Sequence, residues 1–161
     1  MKPAVKAVVF CMVTAFLGAA NAGPLDDARA AERRGDYPTE LRILRPVAEQ
    51  GDPGAQEALG TMYVMGWAVP QDYIEAAKWY RKAAEQGYAE AQDSLARMYV
   101  QGQGVPKDYV QAHMWFNLAA SQFTGDMFHN TTAAARDSLA ADMTPEQIAK
   151  AQQLARDWRP R

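Results

Sequence analysis

The sequence predicts an all-α protein, an α/α solenoid of stacked helical hairpins, on three observations. Alanine is abundant and β-branched residues are sparse, a balance that favours helix over strand. Apolar residues recur at spacings of three and four, the signature of one-sided helices. A block of sequence repeats at a constant offset of 36 residues, from Ala55 to Ala91 and from Leu59 to Leu95. Such a period marks units that cannot hide their apolar faces alone and must stack.

The opening residues form a separate element. Lys2 and Lys6 precede an uncharged apolar run from Ala7 to Leu17, and Ala20-Asn21-Ala22 supplies small residues of the type a signal peptidase reads. Residues 1–22 are therefore expected to be a signal peptide cut after Ala22, leaving 23–161 as the exported domain. The run is short of the roughly 20 residues needed to span a bilayer, so no membrane span is expected after cleavage. The single cysteine, Cys11, lies in the leader, and the product would have no thiol for disulfides, metal ligation or nucleophilic chemistry. Losing Lys2 and Lys6 from 17 basic residues, against 19 acidic ones, moves the formal charge from −2 to −4. A mildly acidic chain with mixed signs along its helices lacks the basic stripe that displaces counterions from phosphate, so nucleic acid is not an expected partner.

The two clear repeats, 48–83 and 84–119, justify the next elements. Ala48-Glu49-Gln50-Gly51 recurs as Ala84-Glu85-Gln86-Gly87, Tyr63 and Gly66 as Tyr99 and Gly102, Val69-Pro70 as Val105-Pro106, and Asp72-Tyr73 as Asp108-Tyr109. Ala76, Trp79 and Ala83 recur as Ala112, Trp115 and Ala119. In each unit Ala55, Leu59, Met62 and Tyr63, or their equivalents, make the apolar stripe of a first helix. Gly66 closes it, since glycine can take the left-handed conformation beyond a helix end. Asp72 is placed to cap the second helix by accepting from its free N–H groups, and Ala76, Trp79, Tyr80 and Ala83 face inward. Alanine at fixed points lets helices approach while the tryptophan fills the gap beside them.

These residues closely resemble the Sel1-like repeat family, relatives of the tetratricopeptide repeat. The shared pattern, A-x3-L-G-x2-Y-x2-G-x-G-V-x2-D-x3-A-x2-W-x3-A-A-x2-G, runs from Ala55 to Gly87 and again from Ala91 to Ala120. The resemblance implies a right-handed superhelix whose first helices line a concave face, and a protein-binding role in an exported bacterial protein. Ala68 departs from the pattern where the second copy keeps Gly104, so the first loop is expected to bend differently. Trp67 beside it is also unusual.

Degenerate copies flank the pair, giving about four hairpins. Upstream, a unit over 25–47 places Asp36-Tyr37 one period before Asp72-Tyr73. Downstream, a degenerate repeat and capping helix occupy 133–159. Ala135 and Leu139 echo the repeat start, and Thr144, Pro145 and Gln147 form a capping-box-like entry to a final helix carrying Ile148, Ala151, Leu154, Ala155 and Trp158. The stretch 121–132 breaks the period, since Ala83 to Ala91 spans eight positions and Ala119 to Ala135 spans sixteen. The added residues are expected to form a surface loop, with Phe123 and Phe128 buried against the final helix.

No catalytic constellation assembles. His113 and His129 are the only histidines; His113 is expected on a helix surface, and two distant histidines without cysteine make no zinc site. No cofactor or metal is expected, and the chain is expected not to be an enzyme. Candidate partner-binding residues are the first-helix positions outside the buried stripe, Glu57, Thr61 and Met65 in one unit and Asp93, Arg97 and Gln101 in the next, together with Trp67 as an aromatic anchor. The expected function is a scaffold, adaptor, regulator or inhibitor in the bacterial periplasm or cell envelope, periplasmic or secreted, binding a partner polypeptide on the concave face. The alternative is a peptidoglycan hydrolase or accessory enzyme with His113 in the groove.

Overall fold

The computed structural model describes residues 23–123 and 127–161. The expected leader, with its cleavage point and Cys11, lies outside the described residues, as does 124–126 of the insertion. Among the described residues there are eight helices and no strand: α1 (Pro24–Arg33), α2 (Tyr37–Glu49), α3 (Pro53–Met65), α4 (Tyr73–Glu85), α5 (Ala89–Gln101), α6 (Tyr109–Gln122), α7 (Met127–Ala140) and α8 (Pro145–Asp157).

The repeated aspartates set the helix starts. Asp72 accepts from the backbone N–H groups of Ile74 and Glu75 at 2.9 and 3.0 Å. Asp108 does the same for Val110 and Gln111, and Asp36 for Thr39. Thr144 and Gln147 make the reciprocal capping box that opens α8. Gly66 and Gly102 close α3 and α5 at φ values of 71° and 69°.

Helices α1 and α2, α3 and α4, and α5 and α6 pack as hairpins, and α2 against α3 and α4 against α5 join one hairpin to the next. The alanines at the crossings, Ala55, Ala91, Ala83 and Ala119, are fully buried, and Trp79 and Trp115 are 8% and 5% exposed. That is the small-beside-large packing that the period implies. The last pair differs from the expected fourth hairpin, because α7 and α8 both pack principally on α6. Trp158, just beyond α8, meets Trp115 edge to face with ring centroids 6.2 Å apart.

Two other expectations are corrected. The insertion is not a surface loop over its described part: residues 127–132 form the first turns of α7, so this helix starts eight residues before Ala135, where α5 starts two before Ala91. Nothing in 127–132 is glycine or proline, and a helix already nucleated by packing extends through such residues at little cost. The first loop also bends as the second does. Ala68 takes φ +57°, close to the +66° of Gly104.

A buried glutamine ladder joins the hairpins, a feature that the apolar stripe gave no reason to expect. Gln56 and Gln92, one period apart, donate to the carbonyls of Ala48 and Ala84 at 3.1 Å. They in turn accept from Gln86 and Gln122 of the following second helices at 2.8 Å. Gln92 is fully buried, so its two bonds replace water that cannot reach it. Gln92→Met, which keeps the volume and removes both bonds, is expected to lower stability by about 1–2 kcal/mol; a urea midpoint unchanged from wild type would show that the ladder does not link the hairpins energetically.

Candidate functional site

The first helices of successive hairpins border three adjoining cavities. The cavity of about 280 Å³ between α1, α2 and α3 is walled by Glu32, Glu40, Glu57, Thr61 and Trp67, among others. The next, about 510 Å³, lies between α3, α5 and α7 and is walled by Glu57, Glu90, Asp93, Arg97, Phe128 and Thr132. A third, about 270 Å³, lies against α5, α6 and α7, with Arg97, Gln101, Tyr109 and Leu139. Glu57 belongs to the first two and Arg97 to the last two, so the cavities adjoin in a row, a trough bordered by α1, α3, α5 and α7.

Six of the seven predicted positions thus line the trough. Met65, 53% exposed at the end of α3, is in none of its cavities. Trp67 is half-buried and stacked on Tyr37 with ring centroids 4.5 Å apart and planes 13° from parallel. It is a fixed wall, held by its neighbour.

The polar groups of the trough are tied to one another. Tyr80 crosses over Gly60, where a Cβ would stand 2.7 Å from its ring. Its hydroxyl lies 2.9 Å from that of Thr61, which donates to Glu57 Oε1 at 3.1 Å. Burial pushes the Glu57 carboxyl above its ordinary pKa, and the Thr61 bond pulls it partly back. One period later Arg97 Nε donates to Asp93 Oδ2 at 2.6 Å, and Asp93 Oδ1 accepts from the buried Thr132 hydroxyl at 2.8 Å. The i,i+4 pair is a local consequence of α5, whereas the Thr132 bond fastens the extension of α7 onto the trough. Phe128 is 63% exposed and tilts against Phe123 beside Glu57 and Arg97. The expectation that these phenylalanines bury against the final helix is therefore corrected: they flank the middle of the trough.

His113 is also corrected. It is 3% exposed, not a surface residue. Asn117 Oδ1 accepts from Arg136 at 3.4 Å, which turns Asn117 Nδ2 toward His113 Nδ1 at 3.0 Å. The ring is then an acceptor at Nδ1, and burial together with the Arg136 charge lowers its pKa. It lines none of the three cavities.

Sequence reasoning missed Glu90 and Tyr109 within the second repeat, and Glu40 outside the two clear repeats. Glu40 is on α2 of the degenerate unit, a second helix and not one of the first helices expected to line the concave face. It is 5% exposed, and its Oε2 is buried without a hydrogen-bond partner. Burial, reinforced by the nearby Glu32 charge, raises its pKa to about 7. An acid at an inward position four residues before Leu44 was the available signal.

A model of the Sel1 repeat family matches residues 53–88 and again 89–122, one period apart. The chain carries two Sel1 repeats. This Sel1 repeat fold is similar to that of c5321, a protective antigen present in uropathogenic Escherichia coli strains that displays an SLR fold. The TM-score is 0.75 and the identity 30%, over 86% of this chain and 30% of that one. It is also similar to a Sel1 repeat protein from Oxalobacter formigenes, with a TM-score of 0.66 and 26% identity over 85% of this chain and 56% of that one. The chain thus spans about a third and about half of the lengths of these two. No curated protein matches it by sequence. Sel1 repeat proteins generally act as protein-interaction scaffolds, and the fold is typically non-enzymatic. No described helix is long and apolar enough to cross a membrane.

Proposed function

We propose that this protein is an exported adaptor or inhibitor, periplasmic or secreted, that holds one stretch of a partner polypeptide along its trough. The observation that carries this is the sharing of Glu57 and Arg97 between neighbouring cavities. It sets the cavities end to end, a layout that suits an extended chain better than a single small ligand. Stacked units commonly present such an extended concave surface. The trough offers carboxylates, a guanidinium and the exposed ring of Phe128, a mixture suited to side chains and backbone of a polypeptide. Export rests on the leader-like residues 1–22.

The test is a cross-linked pull-down from the native cell envelope with the protein expressed behind its own leader. One stoichiometric partner is expected. Arg97→Glu, at the junction of two cavities, is expected to reduce recovery about tenfold, equivalent to about 1.4 kcal/mol. Lys78→Glu, on the exposed side of α4, is expected to leave recovery unchanged. Equal loss in both variants, or none in Arg97→Glu with helicity intact, would rule out the trough as the binding face.

A further inference from the structure

The cavity at the α1 end of the trough carries the same charges as the middle one, three carboxylates and one arginine, but differs in their pairing, since in the middle one Arg97 is held by Asp93 of the same wall. Three carboxylates, Glu32 from α1, Glu40 from α2 and Glu57 from α3, stand in its wall against one cation, Arg29. Arg29 points its guanidinium to Asp26, 3.6 Å away on the same helix, and so offers the cavity no pairing that would neutralise it. Glu40 is 95% buried by the measure of its 5% exposure, and its Oε2 has no partner. A buried acceptor left in this way is costly unless a donor arrives from outside. The rigid Trp67, stacked on Tyr37, supplies an aromatic wall.

Given this arrangement, and resting on the trough reading above, we infer that the α1 end of the trough is a recognition pocket for an arginine side chain of the bound polypeptide. The chemistry selects the occupant. No three His, Cys, Asp or Glu among the described residues stand close enough to share a metal ion, so the carboxylates are spaced for a larger cation. A volume near 280 Å³ falls just below the ~300–1,000 Å³ of small-molecule sites and suits one side-chain head. A guanidinium is planar, weakly hydrated and carries several donors in a fixed fork, so it can serve separated carboxylates while lying against an indole ring; a lysine ammonium is a compact, strongly hydrated point charge. The groups that set the charge here are Arg29 and Glu32 on α1, Glu40 on α2 and Glu57 on α3, with Glu90 on α5 also raising Glu57. Glu40 and Glu57 are both held above their ordinary pKa by burial. A guanidinium entering the pocket lowers both, so binding releases protons and tightens as pH rises from 6 to 8.

The experiment is an NMR titration of the isotopically labelled protein with Nα-acetyl-arginine amide, against the lysine amide and the neutral citrulline amide. The indole N–H of Trp67 and the side-chain carboxyl carbon of Glu40 are followed. The arginine probe is expected to give saturable shifts at Trp67 and to lower the Glu40 titration midpoint from about 7 by about one pH unit. The citrulline probe is expected to do neither. Glu40→Gln is expected to weaken the arginine probe about tenfold, and Glu32→Gln, on the exposed side of α1, about threefold with the fold undisturbed. Equal shifts with citrulline or lysine, no saturable shift with arginine, or undiminished binding by both variants would overturn the pocket. Failure here with an envelope partner still captured and lost in Arg97→Glu leaves the trough standing; arginine binding without any captured partner overturns the trough and not the pocket.

Discussion

Replacing Gly104 with alanine is expected to cost the fold about 3 kcal/mol, while replacing Ala68, its counterpart one repeat earlier, with glycine is expected to gain about 0.5–1 kcal/mol. Both residues sit in the left-handed region, at φ +66° and +57°, where an L side chain costs roughly 1–2 kcal/mol. Ala68 already bears that strain, and glycine relieves it, less the added freedom of the unfolded chain. At Gly104 a Cβ would also run into the Tyr73 carbonyl and stand 2.9 Å from the Ile74 nitrogen. Those atoms are backbone at the start of α4 and cannot swing aside as a side chain would, so the clash adds an overpacking cost of about 1–3 kcal/mol. In the first loop Trp67, beside Ala68, lies flat on Tyr37, the counterpart of Tyr73 one repeat earlier. Urea unfolding of the two variants beside wild type checks the pair. Equal and small effects would mean that the second loop is not pressed against α4.

The identical period let the sequence reveal the scaffold because its buried residues answer to local geometry. Ala55, Leu59, Ala76 and Trp79 recur at fixed places since each must meet the same neighbour in the next unit, and the capping aspartates recur because every second helix has the same free N–H groups. The α7 extension was not legible in this way. The broken period at 121–132 shows only that residues were added, and whether they loop out or lengthen a helix depends on Thr132 finding Asp93, 39 positions away. His113 misled for a related reason: it replaces Ala77, which is itself buried at 3%, so the repeat register pointed inward while the polarity of imidazole suggested the surface.

Of the trough, the register identified which first-helix positions escape the stripe, and Glu57, Thr61, Asp93, Arg97 and Gln101 do line it. It gave no account of their pairing. Arg97 with Asp93 follows from i,i+4 spacing, but Tyr80 reaching Thr61 over Gly60 is a contact between helices. Glu40 was hidden because its unit departs from the repeat, and an acid on a second helix reads as solvated until α1 and α3 are seen to close over it.

Glu40→Gln is expected to stabilise the protein by about 2–3 kcal/mol at pH 8 and to change it little at pH 4. Glu40 is protonated in the folded state up to about pH 7, against an ordinary value of 4.5. Between those values the folded protein binds more protons here than the unfolded chain, so this residue's contribution to stability falls as pH rises from about 4.5 through about 7 and stays low above. Glutamine keeps the shape without the charge and removes that loss. His113 acts in the opposite sense. Its pKa is lowered by burial and by Arg136, so the stability it contributes is present above 6.5 and is lost as pH falls through its depressed value. The two slopes oppose one another in the wild-type profile, which is why the difference between wild type and variant, not the wild-type curve alone, isolates the carboxyl. Denaturant midpoints for both proteins at half-unit steps from pH 4 to 8 measure it. Parallel curves across that range would show that Glu40 ionises without cost in the folded protein, and the buried, unpartnered oxygen would then have to be solvated in a way its position in the α1–α2–α3 cavity does not provide.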